Sequence, residues 1–307
     1  MIDQNDDPLR FTMHSQREMI IQALPNALQQ PVRDLMTAPG FDATIAKQSV
    51  KALSDASGLD ESQLKLALLP LAASFSYTPI SKFNVGAIVT GKSGKLYFGA
   101  NMEFTGAQLG QTVHAEQSAI SHAWIKGETA ITNITINYSP CGHCRQFMNE
   151  LNCASEFDIQ LPDHAPQPLH YYLPDSFGPN DLDVTEGLMH PTSHGYSLDQ
   201  QHPLLQRAVD AANMSHAPYT GDHSGIAIEL ANGKVFIGSY AENAAFNPSL
   251  PPLQVALSQV LIHGFQFSDI QSVALVEASG GAISHLADTQ ATLDVIDPDI
   301  PLIYTNI

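Results

Sequence analysis

Over the first 58 positions apolar residues recur at helical spacing, at Met19, Ile20 and Leu24 and again at Ile45, Val50 and Leu53. Pro25, Pro31 and the Pro39-Gly40 pair interrupt them, so the pattern predicts a small helical N-terminal piece. A further helix is expected over 61–74, starting after the capping candidate Asp60. The period then shortens. Residues 83–89 and 95–100 read as two strands around the turn Gly91-Lys92-Ser93-Gly94, a hairpin. A helical run over 113–126 is stopped by Gly127, and 131–137 reads as a buried strand. A second helix is expected over 141–152, with Pro140 just before its start. Two strands, a helix, a strand and a helix in this order predict a sheet covered by helices, an α/β layered domain.

The second half of the chain repeats the pattern. Residues 174–195 are rich in Pro, Gly and Asp and read as a linker. Beyond it, Gly225, Gly233-Lys234, Gly238 and Glu242 stand 139 positions after Gly86, Gly94-Lys95, Gly99 and Glu103. After a small gap, Gln254, Ser258, Ile262 and Gly264 fall under Gln117, Ser121, Ile125 and Gly127. So many coincidences at one offset indicate a duplication, not hairpins that merely share Gly-Lys turns. The expected organisation is a helical segment at 1–58, a first α/β unit at 59–175, a linker at 176–197 and a degenerate copy at 198–307.

A length of 307 residues, 44% of them hydrophobic, suits two packed units. No stretch approaches the ~18 consecutive apolar residues of a membrane span, and the acidic start MIDQNDDPLRF lacks the layout of a secretory signal. The expectation is a soluble, cytoplasmic protein. Thirteen basic side chains stand against 31 acidic ones, for a net charge of −18, and nothing clusters Lys and Arg. Nucleic acid is therefore disfavoured and a small neutral substrate fits better. The three cysteines, Cys141, Cys144 and Cys153, are too few and too crowded for a disulfide framework. The C-x-x-C pair points instead to metal or redox chemistry.

Two segments carry that chemistry: His114-Ala115-Glu116 and Pro140-Cys141-Gly142-His143-Cys144. Each sits where a helix is expected to begin. Residues two apart on a helix point ~200° away from each other, so His114 and Glu116 can share a site only if the first turn faces it end-on. Cys141 and Cys144, three apart, share a face, and the positive end of the helix dipole favours their thiolates. One imidazole and two thiolates form a three-ligand zinc set that leaves the fourth tetrahedral position to water, the mark of a catalytic site. Zinc lowers the pKa of that water towards ~7, and Glu116 is free to move protons. H-x-E followed by P-C-x-x-C is the known signature of zinc deaminases. Alone, a C-x-x-C is as well read as a zinc knuckle or redox pair. His143, between the thiols, reads as a neighbour of the ligands or a solvent-facing residue.

The stretches Ser81-Lys82-Phe83-Asn84-Val85-Gly86-Ala87, Gly99-Ala100-Asn101-Met102-Glu103, His114-Ala115-Glu116 and Tyr138 to Gln146 resemble the cytidine deaminase family. Length, helical N-terminal piece and degenerate second half are similar to its long, homodimeric bacterial type. The resemblance implies a layered α/β/α fold with a mixed sheet, duplicated, one zinc per chain, and hydrolytic deamination of cytidine and 2′-deoxycytidine. It implies hydroxide addition at C4, with Glu116 protonating N3 and then the departing ammonia. It further implies that Asn101 and Glu103 bind the ribose 3′-hydroxyl, with Met102 between them, and that Phe83 stacks on the pyrimidine. Main-chain groups near Ala115 and Ser139 would orient the base, and Phe177 would help close the pocket. The family also implies a role in pyrimidine salvage. Two rivals are a polynucleotide base deaminase, opposed by the −18 charge and the Asn101/Glu103 pair, and a non-catalytic zinc-stabilised binding module, which has no use for Glu116. In the copy, Pro251 falls under His114 and Leu253 under Glu116, and no cysteine follows Cys153. The copy is thus expected to be structural, in the dimer and in closing the partner's site.

Overall fold

The structure, a computed structural model, describes residues 8–199 and 202–307. Three helices open the chain: α1 (Pro8–Ala23), α2 (Asn26–Thr37) and α3 (Lys47–Ser57). Pro31 does not interrupt α2, contrary to the sequence expectation. Its ring removes one helical hydrogen bond, and burial of Leu28 and Val32 on either side holds the turn. Ile45, expected in a helix, lies in a short edge strand, β1 (Thr44–Ile45). The helix α4 (Glu61–Ala73) begins as expected. The Asp60 carboxylate accepts from Gln63 N at 2.8 Å, and Gln63 Oε1 accepts from Asp60 N at 3.0 Å, a reciprocal cap.

The first half is built on β2 (Gly86–Gly91), β3 (Leu96–Ala100), α5 (Ala115–Ile125), β4 (Ile131–Ile136), α6 (Gly142–Met148), β5 (Asp158–Gln160), β6 (Gln167–Pro168) and α7 (Leu169–Tyr172). Its six-stranded sheet runs β1-β3-β2-β4-β5-β6, and only the β4–β5 pairing is parallel. The sheet is mixed and helices cover both faces. Gly86 faces α4, where a Cβ would come within 2.5 Å of Ala73 N, and Gly99 faces α5, where it would come within 2.1 Å of Ala119 N. Only glycine lets helix backbone pack this directly on strand.

After residues 174–195 the second half repeats the order: α8 (Pro203–Asn213), β7 (Ser224–Leu230), β8 (Val235–Ser239), α9 (Pro252–Ile262), β9 (Ile270–Glu277), α10 (Leu286–Ile296) and β10 (Leu302–Asn306). The duplication holds at atomic register. Gly86 pairs with Ala100 and Gly225 with Ser239, and the bulge at Thr90/Gly91 recurs at Glu229/Leu230. Gly225 and Gly238 repeat the close approaches, to Ala212 N at 2.2 Å and Pro252 O at 2.1 Å. A single apolar core runs through both halves, joining Ala87, Trp124 and Phe147 to Ile226, Leu257 and Leu275. Leu188 and Met189, from the stretch read as a linker, are buried in it. Reciprocal bonds cross the seam: Gln117 Nε2 donates to Pro248 O at 3.3 Å, and Gln254 Nε2 donates to Gln111 Oε1.

Two further expectations are corrected. The first hairpin strand starts at Gly86, not at residue 83. The Asn101 amide takes the groups that a strand partner would have used, donating to Phe83 O and accepting from Val85 N, both at 2.9 Å. Lys82 turns to φ 56°, and Phe83 is left 49% exposed instead of in the strand core. The helix expected over 141–152 ends at Met148, because Asn152 N donates to Leu188 O and Leu188 N to Glu150 O, a bridge that draws the chain out of helical geometry.

Candidate metal centre and its surroundings

His114 is the N-cap of α5 and Cys141 the N-cap of α6, so both helices present their first turns to one point. There the ligand atoms of His114, Cys141 and Cys144 all lie within 4.8 Å of one another, and His114 Nδ1 is 3.5 Å from Cys141 Sγ. The cap of α5 is fixed by His114 N donating to Gln117 Oε1 at 3.2 Å. The Cys144 thiol and the His114 imidazole, both bonded to Cys141, hold its thiol down to about 3. Cys144 is pushed up by the same bond and by burial. One soft anionic sulfur, a second sulfur beside it and an imidazole, gathered at this spacing, are the donor set that zinc takes.

Glu116 lies in the first turn of α5 and outside the three-ligand group. It is buried, which raises its carboxyl above the usual range, and it bonds the Cys144 thiol. A carboxyl so placed binds and releases a proton beside the metal position without occupying it. His143 does not join the group; its ring stacks on that of His114 with centroids 5.2 Å apart. Cys153 is a core residue whose sulfur accepts from Ile131 N at 3.4 Å.

Met102 is buried and its backbone exchanges two 2.9 Å hydrogen bonds with Val113, tying the Asn101–Glu103 segment to the residue before His114. Glu103 is buried and accepts from Ile80 N and Ser81 N, both at 2.9 Å, and from Ser81 Oγ. Although burial opposes ionisation, these bonds lower its carboxyl below the usual range. In the copy, Glu242 likewise accepts from Tyr219 N and Thr220 N. The same loop anchor recurs in the copy, where no cysteine stands and Leu253 falls under Glu116. Ala115 is buried at the start of α5, and Ser139 is exposed, its Oγ accepting from Arg145 at 3.4 Å. Phe83 packs on Tyr138 with centroids 4.7 Å apart, and the Phe177 ring is 47% exposed.

Three residues were not singled out from the sequence. Arg145 donates to Pro140 O at 2.8 Å and Tyr172 O at 3.0 Å, clamping the chain ahead of Cys141. Gln146 and Asn149 both donate to Phe177 O, at 2.8 and 2.9 Å. Arg145 and Gln146 adjoin the C-x-x-C motif, the one signal available in the sequence; their partners lie up to 97 residues away, at Asn243.

The family described as "Cytidine and deoxycytidylate deaminase zinc-binding region" matches residues 59–157 and again residues 169–290. A cytidine deaminase of Vibrio parahaemolyticus is 58% identical over 96% of this chain and 100% of its own length. One of Vibrio cholerae is 57% identical over the same shares, and one of Photobacterium profundum is 54% identical over 95% of this chain and 99% of its own. Zinc is the cofactor that these matches and the His/Cys/Cys group support together. With more than half of all residues shared end to end, the chain belongs to the cytidine deaminase family, as a zinc-dependent hydrolytic enzyme.

Proposed function

We propose that the protein deaminates cytidine and 2′-deoxycytidine to uridine and 2′-deoxyuridine, releasing ammonia, with His114, Cys141 and Cys144 as zinc ligands and Glu116 as the proton carrier. The observation that carries this reading is the convergence of three ligand atoms within 4.8 Å beside a buried carboxyl that is not among them. When bound, the zinc supplies a Lewis acid that lowers the pKa of a water towards ~7. Glu116 takes a proton from the attacking water and delivers it to N3 of the cytosine ring as the oxygen adds at C4; it then takes the proton of the new C4 hydroxyl and gives it to the amino group, which leaves as ammonia as the C4–N bond breaks.

Asn101 and Glu103 hold the ribose 3′-hydroxyl in this proposal, on a strand exit kept in place by Met102. Phe83 stacks on the pyrimidine, main-chain groups at Ala115 and Ser139 orient it, and Phe177 helps close the pocket. The division into 1–58, 59–175, 176–197 and 198–307 follows the duplication. The enzyme acts as a cytoplasmic homodimer in pyrimidine salvage. Exposure of the Phe83, Tyr138 and Phe177 rings beside the site supports a covering partner. Among the described residues no helix is long and apolar enough to cross a membrane.

Incubation of the purified protein with cytidine, following uridine and ammonia, tests the activity. Stoichiometric release of both is expected. No turnover by a zinc-loaded protein would overturn the reading in favour of a non-catalytic module, and turnover of single-stranded polynucleotide alone in favour of the other rival.

A further inference from the structure

The helix that carries both thiols is short, and its far end is held by the half of the molecule that has no chemistry. Glu150, two residues past α6, is completely buried. Its Oε1 accepts from His216 Nε2 at 2.9 Å and Tyr219 OH at 2.7 Å, and its Oε2 accepts from Ala244 N at 2.8 Å. All three donors belong to the second copy. A turn earlier, Asn243 Nδ2 donates to Gln146 O at 2.9 Å. One grip from the copy thus acts on a helix only seven residues long, and a second acts two residues beyond its end.

A buried carboxylate without partners is strongly unfavourable, so these donors dictate where Glu150 sits. At a rise of about 1.5 Å per residue, the carboxylate's backbone lies little more than ~13 Å along the chain path from Cys141. A rigid two-turn helix transmits a tilt at that end to the sulfurs, and metal ligands need placement to within about 0.5 Å. The catalytic half fastens the other end, through Arg145 on Pro140 O. Glu150 also anchors the loop that Glu242 holds by Tyr219 N. The retained part of the copy's old site is thereby wired to the zinc helix of the working one.

We infer that Glu150 is a positioning residue for the zinc thiolates, receiving its placement from His216, Tyr219 and Ala244 of the non-catalytic copy. The inference rests on the reading of Cys141 and Cys144 as ligands. Zinc-loaded, full-length Glu150→Gln, Tyr219→Phe and the double variant are compared with the parent. The readouts are the rate of zinc release to an excess of a chromophoric chelator, kcat and KM for cytidine, and melting temperature. Loss of a contact that orients metal ligands typically costs about 10–100-fold in metal affinity or activity. Zinc release about tenfold faster or more is expected in Glu150→Gln, with a smaller acceleration in Tyr219→Phe. In both, kcat should fall more than KM changes. The double variant should show less than the sum of the two single effects, since both changes act on the Glu150–Tyr219 contact. A lowered melting temperature with parental zinc release and parental kcat would mean that Glu150 only glues the halves together, and would overturn the inference. If Glu150→Gln does not fold, Tyr219→Phe, which removes a single hydroxyl, decides by the same readouts. Cys144→Ala is run alongside: full zinc content there would overturn the ligand reading itself, whatever Glu150 does.

Discussion

Glu116 and Cys144 are bonded neighbours with different work to do, and substitution separates them. The Glu116 carboxyl is outside the ligand group, so Glu116→Ala should keep its zinc and lose turnover. Proton transfer alone contributes roughly 10²–10⁴-fold. Metal analysis with steady-state kinetics checks this, and near-normal kcat would contradict it. His114→Ala, Cys141→Ala and Cys144→Ala should instead lower zinc content. The sugar side invites a sharper test. Glu103 already accepts three hydrogen bonds from Ile80 and Ser81, and Glu242 does similar work in the copy. If Glu103 and Asn101 also hold the 3′-hydroxyl, 3′-deoxycytidine should be a poor substrate and 2′-deoxycytidine a good one. Each polar group left unpaired costs on the order of 1–3 kcal/mol. Equal kcat/KM for the two analogues would reduce Glu103 to the loop anchor that its counterpart is.

At the scale of elements, α5 is buried on nearly every side between its own sheet and α9. His122 on this helix is completely buried, with Nδ1 2.9 Å from Phe98 O. Burial depresses its pKa from 6.5 to about 3. The folded protein therefore keeps His122 neutral where the unfolded chain binds a proton. Its contribution to stability is full above pH 6.5 and declines as pH falls towards 3, with a slope of up to ~1.4 kcal/mol per pH unit. His122→Asn, whose amide can keep the bond to Phe98 O, should lose less stability than the parent between pH 6.5 and 4. Denaturant unfolding at both pH values measures the difference, and parallel losses would show that His122 is protonated in the fold.

For the whole molecule, one apolar cluster runs from Ala87 to Leu275 and joins the copy to the first half. Pro251 caps α9 where His114 caps α5, and Leu253 is buried where Glu116 would be. His285 caps α10 as Cys141 caps α6, and its Nε2 lies 3.2 Å from Oδ2 of the buried Asp222. Among the described residues the three-ligand group occurs once, so one zinc per 33.1 kDa chain is expected by metal analysis. A fragment of residues 1–195 should aggregate or be inactive, because it exposes the apolar face that the copy covers. A soluble, monomeric and fully active fragment would show the second half to be dispensable. Sedimentation of the full chain should give twice 33.1 kDa if the proposed homodimer forms.

Features written within a few residues of one another were legible in the sequence. The Asp60 cap, the Gly94 turn, the H-x-E and C-x-x-C motifs at helix starts, and the duplication itself depend on spacings of one to four residues or on one constant offset. Short-range geometry enforces such patterns wherever the segment sits. What the sequence left open depended on which distant segment arrives. Asn101 releases Phe83 from the strand by taking its carbonyl. Ile45 becomes an edge strand because Leu96 is there to pair with it. The zinc helix stops at Met148 because Leu188 captures the chain beyond it. Glu150 shows the same division: by sequence it is one more acidic residue after a helix. Only the fold brings His216, Tyr219 and Ala244 to it, from 66 to 94 residues away. Its role lies in those partners, and no local pattern encodes them.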